Sequence, residues 1–333
     1  MSAPVPDDSV PNPVLRISDL SKTFSVHGQW GRRPRMLRAV QSVAFELGRG
    51  RTLGIVGESG CGKSTLGRML VGTLDPSGGR IELEGEDVTA LRGGKREQAL
   101  SRIQMVFQSP YASLNPRMRV ADIVREPLDI LEPGTGKEDR LHRVFAILQR
   151  VGLTPDMATC YPHELSGGQR QRVGIARALV RTCSVVVCDE PVASLDVSVQ
   201  AQVINLLKDL QQEMGVAYVF ISHDLAIVGA MSHDVAVIYL GRIVEMGSAN
   251  DVLSEPRHPY TQVLIDSVNV PDPAAERVRA RRILTGDLPN PMHPPSGCAF
   301  RTRCWRAQSI CATELPELES RGGVGHRVAC HFA

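Results

Sequence analysis

One stretch limits what this chain can fold into more than any other: Gly57-Glu58-Ser59-Gly60-Cys61-Gly62-Lys63-Ser64-Thr65. It follows the apolar run Thr52 to Val56 and opens a segment, Leu66 to Val71, with helical character. Strand, glycine loop and helix in that order make a phosphate-binding loop of an α/β protein. The glycines let the backbone curl until successive N–H groups face phosphate oxygens. The helix N-terminus adds the positive end of its dipole, Lys63 a full positive charge, and Ser64 a hydroxyl suited to Mg²⁺. A bound nucleoside triphosphate is the expectation.

With 333 residues the chain has room for one large domain and an appendage. Its hydrophobic share of 42% predicts a sizeable core. A formal net charge of +2 supplies no electrostatic case for nucleic acid as a partner. No stretch is apolar for long enough to span a bilayer. The proline-rich, acidic start, residues 1–12, reads as a flexible leader and lacks the basic start and apolar middle of a signal peptide. A cytoplasmic protein is expected, where disulfides rarely persist, so the eight cysteines need another explanation.

Along the chain, Val14–Leu20 and Leu37–Leu47 read as strands around a polar loop from His27 to Arg35. Phe24 is either a half-buried strand residue or an aromatic offered to a purine ring. Gly78-Gly79 predicts a turn into the alternating strand Arg80–Leu83. The apolar run Ile103–Phe107 ends at Gln108, whose amide serves a metal or water if it is not merely solvated. Val120–Leu131 and Leu141–Val151 have helical spacing and predict an inserted helical subdomain, about 109–180. Ser166-Gly167-Gly168-Gln169 starts a helix, either as an ordinary cap or as a second anion-binding N-terminus.

Val185–Cys188 then forms a buried strand ending in Asp189-Glu190. Asp189 suits Mg²⁺ coordination together with Ser64, and Glu190 suits orienting a water toward the γ-phosphate. A further buried strand, Val216–Ile221, delivers His223 to the same edge, where ligand sites of α/β sheets lie. Val235–Leu240 and Arg242–Met246 read as a hairpin pair, and regular βα organisation is expected to end near Leu253.

Taken in this order, the loop, Gln108, Leu165-Ser166-Gly167-Gly168-Gln169, Asp189-Glu190, Ser194-Leu195-Asp196 and His223 resemble an ATP-binding cassette (ABC) ATPase over roughly three quarters of the chain. The resemblance implies an ABC-type nucleotide-binding domain, residues 13–255, with an antiparallel β subdomain and a helical subdomain. It implies that Phe24 stacks on adenine and that Gly57, Ser59, Gly60, Cys61, Gly62, Lys63, Ser64 and Thr65 hold ATP. Gln108 would sense Mg²⁺ and couple to the membrane partner. Glu190 and His223 would act on the γ-phosphate with Lys63. Ser166 to Gln169 would contact the ATP of an opposite subunit, and Asp196 would lie in the loop bridging the two.

Glu58–Arg68, Tyr111–Pro116, Leu195–Gln202 and Arg257-His258-Pro259-Tyr260-Thr261 resemble bacterial oligopeptide and dipeptide importers, the second of their two ATPase subunits in particular. Ala193-Ser194 departs from the family's more usual order and leaves Leu195-Asp196 intact. The implied activity is ATP hydrolysis powering peptide import, peripheral to the cytoplasmic face of the cell membrane. The implied partners are a paralogous ATPase, two permease subunits and an extracytoplasmic peptide-binding protein. Nickel or sugar-like cargo is the variant within the subfamily. The rival class, a soluble cassette ATPase acting on ribosomes or nucleic acid, is opposed by the near-neutral charge and the single cassette.

From Tyr260 onward prolines crowd in, and residues 256–333 read as a small irregular extension. It carries Cys298, Cys304, Cys311 and Cys330 in a C-x5-C-x6-C-x18-C spacing. Thiolates in a cytosolic tail without its own core point to a metal, with disulfides redox-disfavoured and unligated thiols the plainer alternative, and the spacing lacks the paired knuckles of structural Zn²⁺ sites. In peptide-importer ATPases the resembling tail binds a [4Fe-4S] cluster, which is favoured here over Zn²⁺. Arg301, Arg303 and Arg306 are expected to offset its negative charge. Cys160, Cys183 and Cys188 read as small core residues.

Overall fold

A computed structural model describes residues 12–26, 35–267, 289–320 and 325–333. Most of the leader and the loop from His27 to residue 34 lie outside them.

Two sheets carry the chain. β1 (Leu15–Val26), β2 (Arg35–Leu47), β4 (Gly78–Leu83) and β5 (Glu86–Asp87) form an antiparallel sheet in the order β2-β1-β4-β5. The larger sheet also uses β3 (Thr52–Val56), β6 (Ile103–Val106), β7 (Val185–Asp189), β8 (Ala217–Ile221), β9 (Asp234–Tyr239), β10 (Arg242–Ser248), β11 (Glu319–Ser320) and β12 (Arg327–Val328). Its order is β11-β12-β10-β9-β3-β8-β7-β6, parallel from β9 to β6 and antiparallel beyond.

The helices are α1 (Lys63–Leu70), α2 (Gly93–Leu100), α3 (Pro110–Ser113), α4 (Val120–Leu131), α5 (Lys137–Arg150), α6 (Gly167–Leu179), α7 (Val197–Met214), α8 (Leu225–Met231), α9 (Ala249–Ser254), α10 (Pro259–Asp266) and α11 (Ile310–Thr313).

The central strands are apolar along most of their length because both faces are covered, as parallel sheets require. Successive side chains alternate between two cores. Val185 and Val187 join the antiparallel sheet's Leu15, Ile17 and Phe45. Val186 and Cys188 face the other way and pack with Tyr218, Phe220 and the apolar sides of α4–α7. Each such fully buried side chain contributes roughly 1.5–3 kcal/mol.

Three expectations change. Gly78-Gly79, read as a turn, is the start of β4. Gly79 has φ +88 and runs so close to β1 that a Cβ would lie 2.3 Å from the Asp19 carbonyl oxygen. That approach needs glycine. The tail is also more ordered than its prolines imply: α10 is a regular helix, β12 pairs with β10, and Tyr260 and Phe300 are buried in the main core. Past Leu253 these are a helix and short antiparallel strands, with no further βα unit among the described residues. Of the three cysteines expected in the core, Cys188 is fully buried, whereas Cys160 and Cys183 are half-buried at its edge.

Candidate functional site

β3 ends at Val56 and the chain turns through Gly57–Gly62 into α1, whose first residue is Lys63. Gly62 has φ +107, and a Cβ there would sit 2.2 Å from the Ala39 carbonyl oxygen. The loop is thus tied to β2, and Gly241 N–H closes it further by donating to Cys61 O at 2.8 Å. Lys63 is nearly buried and donates from Nζ to Gly57 O at 2.6 Å and Glu58 O at 3.0 Å. Its ammonium is held across the loop's own carbonyls.

Parallel strands bring the carboxylates to the same edge. Ser64 Oγ donates to Asp189 Oδ1 at 3.0 Å, joining the first turn of α1 to the end of β7. Burial pushes the Asp189 carboxyl up and the neighbouring Glu190 adds to it, while Ser64, Arg68 and Lys63 pull it down. A carboxylate in that environment gains from a cation, and a hydroxyl beside it fits an oxygen-seeking Mg²⁺.

Glu190 adopts φ +47, a left-handed conformation that costs a non-glycine residue energy and is common at functional sites. Its N–H donates to Ile221 O at 2.9 Å, anchoring the turn to β8. Gln108 Nε2 donates to Glu190 Oε2 at 2.7 Å, and His223 Nδ1 lies 3.2 Å from Oε1. The ends of β6, β7 and β8 therefore meet on one carboxylate.

Ser166 to Gln169 and Phe24 are placed elsewhere. Ser166 Oγ accepts from the Gln169 N–H at 3.3 Å, and Ser166 N–H donates to Gln169 Oε1 at 2.8 Å. This reciprocal box opens α6. Gly167 and Gly168 form its first turn. Asp196 is the residue before α7. Phe24 lies near the end of β1 with Lys22 Nζ 5.3 Å from its ring centre.

The four tail cysteines line a single pocket beside His258 and Phe300. Arg306 N–H donates to Cys304 Sγ at 3.4 Å, and Phe332 N–H to Cys330 Sγ at 3.4 Å. Burial pushes the Cys298 thiol up to about 11, with the other three cysteines adding to it. Among the described residues, no group of three or more His, Cys, Asp or Glu stands ready to hold a metal ion. All four cysteines are free thiols on the wall of that one pocket.

Arg303 does not serve these cysteines as expected. Its Nη1 and Nη2 donate to Glu58 Oε2 at 2.9 Å and Oε1 at 3.1 Å. Tyr260, beside it, accepts the Glu58 N–H on its hydroxyl oxygen at 2.7 Å. Neither contact was legible as a site feature. The available signal was an acidic residue inside a phosphate-binding loop, where an anion calls for a cation.

Residues 40–193 match the ABC transporter family, and residues 244–311 match the oligopeptide/dipeptide transporter C-terminal region. The chain is 47% identical over 320 residues to the oligopeptide transport ATP-binding protein OppF of Salmonella typhimurium, covering 95% of each. It is 48% identical to the probable peptide ABC transporter ATP-binding protein y4tS of Sinorhizobium fredii, covering 96% of this chain and 89% of that one. Among solved structures it resembles the dimeric ATP-binding cassette MJ0796 bound to ADP and Pi, with a TM-score of 0.63 and 26% identity. That match covers 71% of this chain and 98% of that one.

Proposed function

The chain belongs to the ABC transporter ATP-binding proteins of the oligopeptide transport type, and on that footing we propose how its residues power peptide import by hydrolysing ATP. The carrying observation is the Ser64–Asp189 hydrogen bond with Glu190 next in the chain, held by Gln108 and His223.

The Gly57–Thr65 backbone and Lys63 bind the triphosphate, and Phe24 takes the adenine. Ser64, Asp189 and Gln108 would hold Mg²⁺, which would supply charge screening for the phosphate oxygens. Glu190 accepts a proton from the attacking water, and His223 orients Glu190 and meets the γ-phosphate. Ser166, Gly167, Gly168 and Gln169 offer a helix N-terminus to ATP bound by a second, paralogous cassette. Asp196 lies between the two.

Among the described residues, no helix is long and apolar enough to cross a membrane. Membrane passage therefore falls to partner permeases, with this chain docked peripherally on their cytoplasmic side and a binding protein delivering peptide. We divide the chain into a leader (1–12), a cassette (13–255) and an extension (256–333). In the extension, Cys298, Cys304, Cys311 and Cys330 are proposed to hold a [4Fe-4S] cluster. Their shared pocket and the N–H donors at Cys304 and Cys330 support this reading, and bound iron would have to offset the burial that keeps the Cys298 thiol protonated. Brown protein with iron and sulfide after anaerobic purification is the expected result; zinc without iron overturns it.

The test of function is reconstitution with the permeases and second ATPase in vesicles. Peptide uptake should require ATP and cease in Glu190→Gln. Uptake that survives this substitution overturns the assignment of Glu190, and ATP-independent uptake overturns the function.

A further inference from the structure

Glu58 is gripped at each of its polar groups, and two of the three grips come from the far end of the chain. Its N–H donates to the Tyr260 hydroxyl at 2.7 Å, its carbonyl accepts from Lys63 Nζ at 3.0 Å, and Arg303 takes its carboxylate with both terminal nitrogens. The Arg303 side chain is 8% exposed and that of Glu58 27%, so this bidentate pair is partly withdrawn from water and salt. We propose that Arg303 and Tyr260 are positioning residues for ATP binding, through which the carboxy-terminal extension sets the shape of the nucleotide-binding loop.

The two residues are themselves fixed by the extension. Arg303 N–H donates to the Phe300 carbonyl at 3.0 Å. The Phe300 ring packs on Tyr260 with centroids 5.5 Å apart. Tyr260 sits in the first turn of α10, capped by His258 Nδ1 accepting the Tyr260 N–H at 3.1 Å. The start of that helix hangs on Glu245, a fully buried β10 carboxylate that accepts the Arg257 and His258 N–H groups at 2.7 and 3.0 Å. A continuous chain of bonds thus runs from β10 through the extension to Glu58, on the same loop as Lys63.

A loop held in one shape has less freedom to lose when a triphosphate binds, so removing the grip weakens binding. By linkage, the nucleotide must steady the extension to the same degree. This inference rests on the Gly57–Thr65 loop being the nucleotide site.

The experiment uses the full chain and a fluorescent mant-ATP probe with Mg²⁺. Arg303→Met should weaken binding about tenfold, within the usual range of coupling between sites. Arg303→Lys should recover part of the loss, and Glu58→Gln should reproduce it with the extension untouched. Saturating MgATP should slow hydrogen exchange across residues 298–306 in the wild-type chain and not in Arg303→Met. A purely structural arginine would not show that dependence. Glu58→Gln and Arg303→Met both binding within about twofold of wild type would overturn the proposal, as would exchange in residues 298–306 that ignores nucleotide. Failure of the wild-type chain to bind mant-ATP would instead overturn the nucleotide reading itself, and the inference with it.

Discussion

Gln108 Nε2 donates to Glu190 Oε2 at 2.7 Å, so the second residue after β6 and the first after β7 share one hydrogen bond. Any movement of the segment that begins at Gln108 therefore reaches the carboxylate proposed to act on water. At saturating Mg²⁺, Gln108→Ala should leave mant-ATP binding within about twofold while uncoupling hydrolysis from peptide uptake in vesicles, a smaller loss than that of the general base. Equal losses of binding and hydrolysis would assign Gln108 to nucleotide binding alone.

Glu190→Gln keeps the side chain's size and can still hydrogen-bond Gln108 and His223. It removes proton acceptance, so hydrolysis should fall by about 10²–10⁴-fold with ATP still bound. Single-turnover phosphate release against mant-ATP affinity checks this split.

Asp189→Asn retains a partner for Ser64 but removes the charge that a cation would meet. The Mg²⁺ concentration needed for half-maximal nucleotide binding should rise severalfold, with metal-free nucleotide binding little altered. A titration of Mg²⁺ at fixed mant-ATP reads it directly.

Phe300 ties the extension to the main core through Tyr239 and Tyr260, with centroids at 5.3 and 5.5 Å. Phe300→Ala should cost about 3–5 kcal/mol, as large aromatic truncations in packed cores do. Denaturant unfolding should show the extension leaving first, read by hydrogen exchange at residues 298–306.

His258 carries a pH signature. Burial lowers its imidazole from an ordinary 6.5 to about 3, and Nδ1 accepts the Tyr260 N–H, a role open to an unprotonated nitrogen. Above pH 6.5 the imidazole is neutral both folded and unfolded, and its contribution to stability is intact. As the pH falls from 6.5 toward 3, the unfolded chain takes up a proton that the folded one refuses, and stability drops. The thermal midpoint of wild type should fall more steeply over that window than that of His258→Asn.

The chain's consecutive residues by themselves determined the phosphate-binding loop, the strand that ends in Asp189-Glu190 and the capped start of α6. In each, function lies in neighbouring backbone groups whose spacing is written in the chain. The parallel sheet had then to place Ser64 beside Asp189 and gather Gln108 and His223 on Glu190, contacts whose order was legible but whose distances were not. The regular helix α10 of the tail was not legible because Pro259, which opens it, reads as a break, although proline fits the first turn of a helix.

Tertiary structure alone decided what Arg303 does. Beside Cys304 in sequence, it reads as a counter-charge for thiolates. Folded, it reaches across 245 positions to Glu58. Packing Phe300 and Tyr260 into the same core as the central sheet brings the extension to the loop, and local pattern holds no record of such long-range packing. The glycine loop that first limited the fold is thus closed on one side by residues from the far end of the chain.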